Sequence, residues 1–403
     1  MKVLIIGMGK SGKGAARFLL KKGHDVVGMD QHPFTMEGVR PFFSQEEFDL
    51  IVLSPGIPLQ TIQTSNKCEV IGEAELAFRY MYNTCIGITG TNGKSSLTLL
   101  ITHVLNSVGI KARALGNVGK SLSEYLLNPD LEEIVVAELS SFQLETMKKA
   151  SFEYGVILNI TPDHLDRHSS LQAYAQIKCH LGRLVKKELV VCKEVERKFG
   201  DFLPREKLKI AGSNFDLQLK KNLECVDTIG YDKVVCAFAI CEKFGVSWEA
   251  FIHACTTFQK PSHCLEYLGT VKDVRFYNDS KGTNVAATLY AISKVKGSIC
   301  LIAGGMGKNG SFLEWRKPFS KRVKKVFAIG KSARQIKQDL KGIVMVKCCE
   351  NLRKAVENAY KEVDKGGTLL FSPGCASFDQ FLNYEERGNK FKEYIYELIR
   401  LNV

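Results

Sequence analysis

Short apolar runs alternate with longer amphipathic ones from one end of the chain to the other. "KVLIIG", "DVVGMD", "LIVLSPG", "CIGITG", "IVVAEL", "YGVILNI", "ELVVC", "SICLIAGG", "KVFAIG" and "GTLLFSPG" have the length and β-branched content of strands. They are apolar on both faces, as strands of a parallel sheet covered by helices must be. The pattern predicts an α/β protein. It falls into three blocks: residues 1–84, ending after the helical "GEAELAFRYMYN"; residues 85–260; and residues 261–403, opening near "KPSHCLEYLG". The stretch 193–233 is charged and poorly periodic, which predicts loops or short antiparallel strands with little chemistry.

Composition narrows the class. A chain of 403 residues fits two or three domains. Its longest apolar runs fall far short of the roughly 20 residues that cross a bilayer, so no membrane partner is expected. The first residues read as a strand rather than an export signal, and a cytoplasmic protein follows. The 13 cysteines are scattered, with no CxxC pair and no zinc spacing against the 8 histidines. Free thiols in a reducing compartment are expected, with Cys348 and Cys349 as packing residues. A formal charge of +13 favours anionic partners. The basic clusters "RLVKKELVVCKEVERK" and "KPFSKRVKKVF" lack the interleaved aromatic residues of a stacking platform, so phosphate-bearing small substrates are expected and nucleic acid is not. A monomer is expected.

Two phosphate-binding signals stand on this background. Gly7, Gly9 and Gly12 satisfy G-x-G-x-x-G between a strand and a helix, and Asp30 ends the next strand. The turn's backbone amides and the helix N-terminus suit a pyrophosphate. The first block is short and is expected to hold few strands, about half a full dinucleotide fold, so a ligand with one nucleotide fits better than two. The second signal is "GITGTNGKSS": Gly90, Thr91, Asn92, Gly93, Lys94, Ser95 and Ser96 resemble a P-loop. Its amides wrap phosphates, Lys94 reaches the terminal ones and Ser95 offers a magnesium ligand. The strict form needs glycine where Ile88 stands. ATP is expected here. Glu138 ends "IVVAEL" as a magnesium-binding acid, and "NITPDHLDRH" puts Asn159, Asp163, His164, Asp166 and His168 at a sheet edge beside the loop.

Taken in order, "GITGTNGKSS", "GNVG", "ELSSFQLE", "NITPDHLDRH", "YAQIKCHL", "YNDSKGTN" and "SPGCASFDQFLNYEERGNKF" resemble the Mur ligases over almost the whole chain. The resemblance implies a Rossmann-like N-terminal domain, a central P-loop ATPase-like domain and a C-terminal Rossmann-like domain. The tail motif, with Ser377 and Asp379, points to the branch that joins D-glutamate to UDP-N-acetylmuramoyl-L-alanine. Two phosphate loops then mean two nucleotides, a UDP-sugar on the first block and ATP on the second. ATP phosphorylates the terminal carboxylate, and the incoming amine attacks the acyl phosphate.

The same resemblance assigns residues. Lys94, Glu138, His164 and Lys178 carry the chemistry with two Mg2+ ions, held by Ser95, Glu138, His164 and Lys178. Lys178 is expected as a carbamate, because a free lysine is a poor metal ligand. Lys10, Ser11, Gln31, His32, Ser54, Gly56, Asn117 and His164 fall where the UDP-sugar sits. Asn278, Asp279, Lys281 and Lys308 meet ATP, and Ser377 and Tyr384 hold the amino acid.

Four positions depart from the family pattern. Ser96 replaces threonine. The hinge "HCLE" has Cys264 where an arginine helps hold ATP, and a thiol carries no positive charge. "GGMGK" puts Met306 in place of a carboxylate. The usual H-N-x-x-N helix start, which helps hold adenine, reads "TIGYDKVV". These departures imply weakened or rebuilt nucleotide binding. A catalytically impaired nucleotide-sugar binder is the alternative of another class, against which Lys94, Glu138, His164 and Lys178 stand. An NAD oxidoreductase would leave the P-loop unexplained. A sibling ligase or a folate-glutamate ligase is the alternative within the family.

Overall fold

The computed structural model describes residues 1–43, 46–62, 68–212, 229–307 and 311–402. Each sequence block carries its own sheet, and the residues form two compact units. One comprises Met1–Ile160 and Gln172–Phe258, the other Thr161–Leu171 and Gln259–Val403.

The first unit holds two parallel sheets. β1 (Lys2–Ile6), β2 (Asp25–Met29), β3 (Val39–Pro41), β4 (Leu50–Leu53) and β5 (Glu69–Gly72) lie in the order β3-β2-β1-β4-β5. Five strands are more than the block's length suggested; β3 and β5 are too short and too polar to register as apolar runs. The order is that of a dinucleotide-binding sheet lacking only its sixth strand, not half of one. The helix Lys10–Lys21 packs Ala15, Ala16, Phe18 and Leu19 inward. The loop before it needs glycine, because Gly7 has φ +92° and a Cβ on Gly12 would stand 1.9 Å from the Gly7 carbonyl oxygen.

The second sheet contains β6 (Cys85–Thr89), β7 (Ala112–Gly116), β8 (Ile134–Glu138), β9 (Phe152–Ile157), β10 (Val185–Val191) and β11 (Leu208–Ile210), in the order β11-β10-β9-β6-β8-β7. The stretch expected to give loops or antiparallel strands contains the helix Lys193–Phe199 and then β11, which pairs parallel with β10. Its low periodicity reflects an edge position: all three β11 residues are half-buried.

The helix Glu73–Arg79 ties this unit together. It is shorter than "GEAELAFRYMYN" suggested, stopping at Arg79. Glu73 is buried and accepts from the Ser123 amide at 2.7 Å. Glu75, fully buried, accepts from the amides of Lys148, Lys149 and Ala150 at 2.9–3.1 Å and from Arg79 Nε at 2.9 Å.

In the second unit β12 (Glu266–Val271), β13 (Val274–Asn278), β14 (Ile299–Gly304), β15 (Val323–Ile329), β16 (Met345–Cys348) and β17 (Thr368–Phe371) form the order β12-β13-β17-β14-β15-β16. All neighbours are parallel except the β12–β13 hairpin. One face packs on Trp315, Phe319, Ile336 and Leu340, the other on Leu352, Val356, Phe391 and Ile395. Every cysteine among the described residues is a free thiol; Cys348 is exposed rather than packed. No helix among them is long and apolar enough to cross a membrane.

Candidate functional site

β6 delivers the chain into the second glycine loop at Gly90, and the helix Lys94–Ser107 leaves it. Gly93, with φ +83°, makes the left-handed step that starts this helix. Asn159, just beyond β9, holds the loop in shape. Its Oδ1 accepts from the amides of Thr91 and Asn92 at 3.1 and 2.8 Å, and its Nδ2 donates to the Asn92 carbonyl at 2.9 Å. The Lys94 ammonium donates to the carbonyls of Gly90 and Thr91, each at 2.9 Å.

At the foot of the loop Ser95 and Glu138 are both buried. Ser95 Oγ donates to Glu138 Oε2 at 2.6 Å, and Asn117 Nδ2 donates to the other oxygen at 3.0 Å. Glu138 closes β8 and Asn117 follows β7, so the carboxyl ends of two neighbouring strands orient one carboxylate under the phosphate loop. Lys178 is 1% exposed, on the helix Leu171–Cys179. Its Nζ donates to the Gly90 carbonyl at 2.9 Å, lies 3.4 Å from Thr89 Oγ1 and stands 4.7 Å from the centre of the Tyr174 ring. Tyr174 hydroxyl also meets Thr91 Oγ1 at 3.3 Å. Lys94 and Lys178, distant in sequence, thereby meet at the Gly90 carbonyl, with the Ser95–Glu138 pair at the foot of the same loop.

Among the described residues no three His, Cys, Asp or Glu side chains cluster as metal ligands. The donor set at Ser95 and Glu138 is nevertheless oxygen throughout, which fits Mg2+, an ion commonly held by one or two carboxylates together with substrate phosphates.

The residues expected to meet the UDP-sugar follow the strands of the first sheet. Lys10 and Ser11 open the helix after β1, Gln31 and His32 follow β2, and Ser54 and Gly56 follow β4. Gln31, His32, Gly56 and Asn117 are exposed. Ser54 Oγ donates to the Gly7 carbonyl at 2.6 Å, and Lys10 Nζ donates to the Gly119 carbonyl at 2.5 Å. Asp30 is committed to the loop itself, accepting from the amides of Met8 at 2.5 Å and His32 at 2.9 Å. The His32 and Met8 amides hold its carboxyl below the usual carboxylate range.

His164, Asn278, Asp279, Lys281, Ser377 and Tyr384 belong to the second unit. His164 has φ 52° and follows Asp163, whose Oδ1 accepts the His164 amide at 2.9 Å and whose Oδ2 accepts Asn284 Nδ2 at 3.1 Å. Asp163 and His168 are buried, and Asp166 is exposed. Asp279 follows β13 and accepts Ser372 Oγ at 2.7 Å and the Leu265 amide at 3.0 Å. Asn278 Nδ2 lies 2.9 Å from His263 Nδ1, and burial lowers the pKa of that imidazole. Lys281 Nζ stands 5.3 Å from the centre of the Tyr384 ring, and Ser377 is buried. Lys308 lies outside the described residues.

Two contributors escaped the sequence reading. Tyr174 could have been found only by noting that it sits one helical turn before Lys178. Arg387 is 1% exposed and donates to Ser280 Oγ, the Ser280 carbonyl and the Cys375 carbonyl at 2.7–3.1 Å. Burial lowers its pKa to about 10. Its signal was a charge on the apolar stripe it shares with Phe391 and Ile395.

Comparisons with known proteins bear on the family. A family model for the Mur ligase middle domain matches residues 88–227, and one for the Mur ligase glutamate ligase domain matches residues 264–375. A UDP-N-acetylmuramoylalanine--D-glutamate ligase of Protochlamydia amoebophila is 39% identical, covering 98% of this chain and 97% of its own. The same-named protein of Chlamydia pneumoniae is 34% identical, covering 98% of each chain. Among solved structures, a MurF ligase of Thermotoga maritima in complex with ADP aligns with TM-score 0.61 at 13% identity, covering 98% of this chain and 95% of that one. A MurC ligase of the same organism aligns with TM-score 0.59 at 15% identity, covering 98% and 99%. These structural likenesses speak for the fold alone. The chain belongs to the Mur ligase family.

Proposed function

We propose that the chain is an ATP-dependent ligase that joins D-glutamate to UDP-N-acetylmuramoyl-L-alanine in peptidoglycan precursor synthesis. The observation that carries the reading is full-length identity to relatives named for this reaction. The ordered loop at Gly90 to Ser95, with Glu138 beneath it, supports the ATP half of the reaction.

In this reading the glycine loop's amides and Lys94 bind the triphosphate. The substrate's alanyl carboxylate oxygen attacks the γ-phosphorus and ADP leaves with the β–γ bridging oxygen. The amine of D-glutamate then attacks the acyl carbon, loses a proton and expels inorganic phosphate, leaving an amide. Phosphoryl transfer of this kind depends on position and on neutralising charge. Lys94 supplies one positive group. Ser95 and Glu138 would hold magnesium, which would supply further positive charge for the phosphoryl oxygens. Asn117 fixes the carboxylate of Glu138 through its Oε1.

Lys178 takes the role of a carbamate. Addition of carbon dioxide to its Nζ, with loss of two protons from the ammonium, would convert a buried cation into an anion beside Gly90 able to help hold a metal. His164 joins the metal ligands and the UDP-sugar contacts. Lys10, Ser11, Gln31, His32, Ser54, Gly56 and Asn117 take the UDP-sugar, Asn278, Asp279, Lys281 and Lys308 the ATP, and Ser377 and Tyr384 the D-glutamate. Three domains, 1–84, 85–260 and 261–403, serve the UDP-sugar, ATP and the amino acid, in a monomer of the cytoplasm.

An isotope experiment tests the reaction. With oxygen-18 in the alanyl carboxylate, one labelled oxygen is expected in the released phosphate and one is retained in the amide product. Phosphate free of label, with amide formed, would exclude the acyl phosphate.

A further inference from the structure

Charge is spread unevenly along this chain. Residues 311–347 hold eleven basic side chains against two acidic ones, a net +9 of the whole chain's +13. The two phosphate-binding signals account for none of it, because both glycine loops lie in the other unit. The segment builds the helix Arg316–Arg322, β15, the helix Ala333–Asp339 and β16. Both helices pack on the same face of the third sheet, through Phe319 and Ile336. They are also tied to each other: Arg316 Nη1 donates to the Asp339 carbonyl and the Phe312 amide to Asp339 Oδ2, each at 2.9 Å.

With the apolar residues turned to the sheet, the basic ones face outward. Lys317, Lys321, Lys324, Arg334, Lys337 and Lys341 are all exposed, and none forms an ion pair with a described residue. Elsewhere exposed cations are matched, as Lys111 is with Glu132, Arg353 with Glu397 and Lys390 with Glu393. Interspersed charges keep a surface soluble, whereas a field of one sign attracts its opposite. Lys321 and Lys324 lie either side of Val323, the first residue of β15, and Lys341 precedes β16, so the charge gathers towards the amino ends of these strands. Asp279 and Ser377 follow the carboxyl ends of β13 and β17, which run parallel to β15 in the same sheet. An occupant of the basic face leaves that other edge open.

We infer that this face docks the protein on an anionic lipid bilayer, as a peripheral and reversible contact. Three features favour lipid over other polyanions. Five of the six charges are lysines, whose compact, hydrated ammonium suits the diffuse field of many headgroups, whereas a fixed carboxylate or phosphate favours the bidentate fork of arginine. Leu313 and Met345 are exposed apolar side chains on the same segment, Met345 being paired with Lys325 next to Lys324, and they suit the headgroup layer. The segment's aromatic residues, Phe312, Trp315, Phe319 and Phe327, are all buried, so no base can stack on them. The inference does not depend on the ligase reading. The expectation that no membrane is a partner came from the lack of a crossing segment, which a surface contact does not need.

Flotation of the full chain with vesicles tests this, using phosphatidylcholine alone and phosphatidylcholine with phosphatidylglycerol as about a third of the lipid. Binding is expected to the anionic vesicles only, and to be lost near about 1 M salt, where charge is screened within about 3 Å. Lys321→Gln and Lys337→Gln are each expected to weaken the partition about fivefold, the scale of one lysine near an anionic surface. Lys390→Gln, which removes an ion-paired lysine from the same unit, is expected to leave it unchanged. Equal binding to neutral vesicles, no binding to anionic ones, or equal loss in all three variants would overturn the inference. Duplex DNA and polyglutamate are titrated in parallel, and tighter binding to either than to anionic vesicles would also overturn it, in favour of nucleic acid or an acidic protein. The lipid comparison needs no substitution, so poor folding of a variant leaves the test intact.

Discussion

In the proposed reaction Lys94 acts on phosphate through a single charge, and its ammonium is already held at the loop by the Gly90 and Thr91 carbonyls. Lys94→Ala is therefore expected to lower turnover by roughly 10²–10³-fold, the loss typical of one preorganised charge-stabilising donor. Normal phosphate release in that variant would remove the loop from the mechanism. Lys178 offers a sharper case, because the proposed carbamate would leave a signature independent of turnover. In 13C-labelled bicarbonate the protein is expected to show a carbamate carbon resonance that Lys178→Ala lacks, and acetate is expected to restore part of that variant's activity. Loss of the resonance assignment and absence of rescue would return Lys178 to a structural role. At this scale the sequence was readable where spacing carries chemistry: Lys94 and Ser95 follow the glycines, and Glu138 ends an apolar strand. Tyr174 and Arg387 were not, because nothing in their local pattern says which buried carbonyl or ring they will meet.

The helix Glu73–Arg79 carries two buried carboxylates with different physics. Glu75 has opposing charge from Arg79 and three backbone amides, so Glu75→Gln sets an amide donor against donors and is expected to cost about 3 kcal/mol. Glu73 has the Ser123 amide, and burial raises its pKa above that of an ordinary glutamate. An acid whose pKa is raised on folding stabilises fully below its unfolded value, near 4.3, and loses that contribution as pH rises through its folded value. Glu73→Gln should therefore gain on the unaltered protein between pH 5 and pH 8 in urea unfolding. A gap that is constant with pH would contradict the argument. Elements were legible where they are central and apolar. β3, β5, β11 and β12 were not, since edge strands are half solvated and lose the apolar signal.

For the molecule as a whole, three sheets were foreseeable from three sets of apolar runs, and two of them share one compact unit. The grouping of Thr161–Leu171 with Gln259–Val403 was not foreseeable. It depends on contacts such as Asn284 to Asp163, which join residues far apart in sequence. The family match covers both units, and relatives named for one reaction match nearly the entire chain, so the central claim concerns that reaction and its amino acid. Its most direct test is phosphate release from ATP with UDP-N-acetylmuramoyl-L-alanine, comparing D-glutamate, L-glutamate and no amino acid. Sustained release that requires both the sugar peptide and D-glutamate is the result expected. Equal release with L-glutamate, or none with D-glutamate while the sugar peptide still binds, would contradict the assignment.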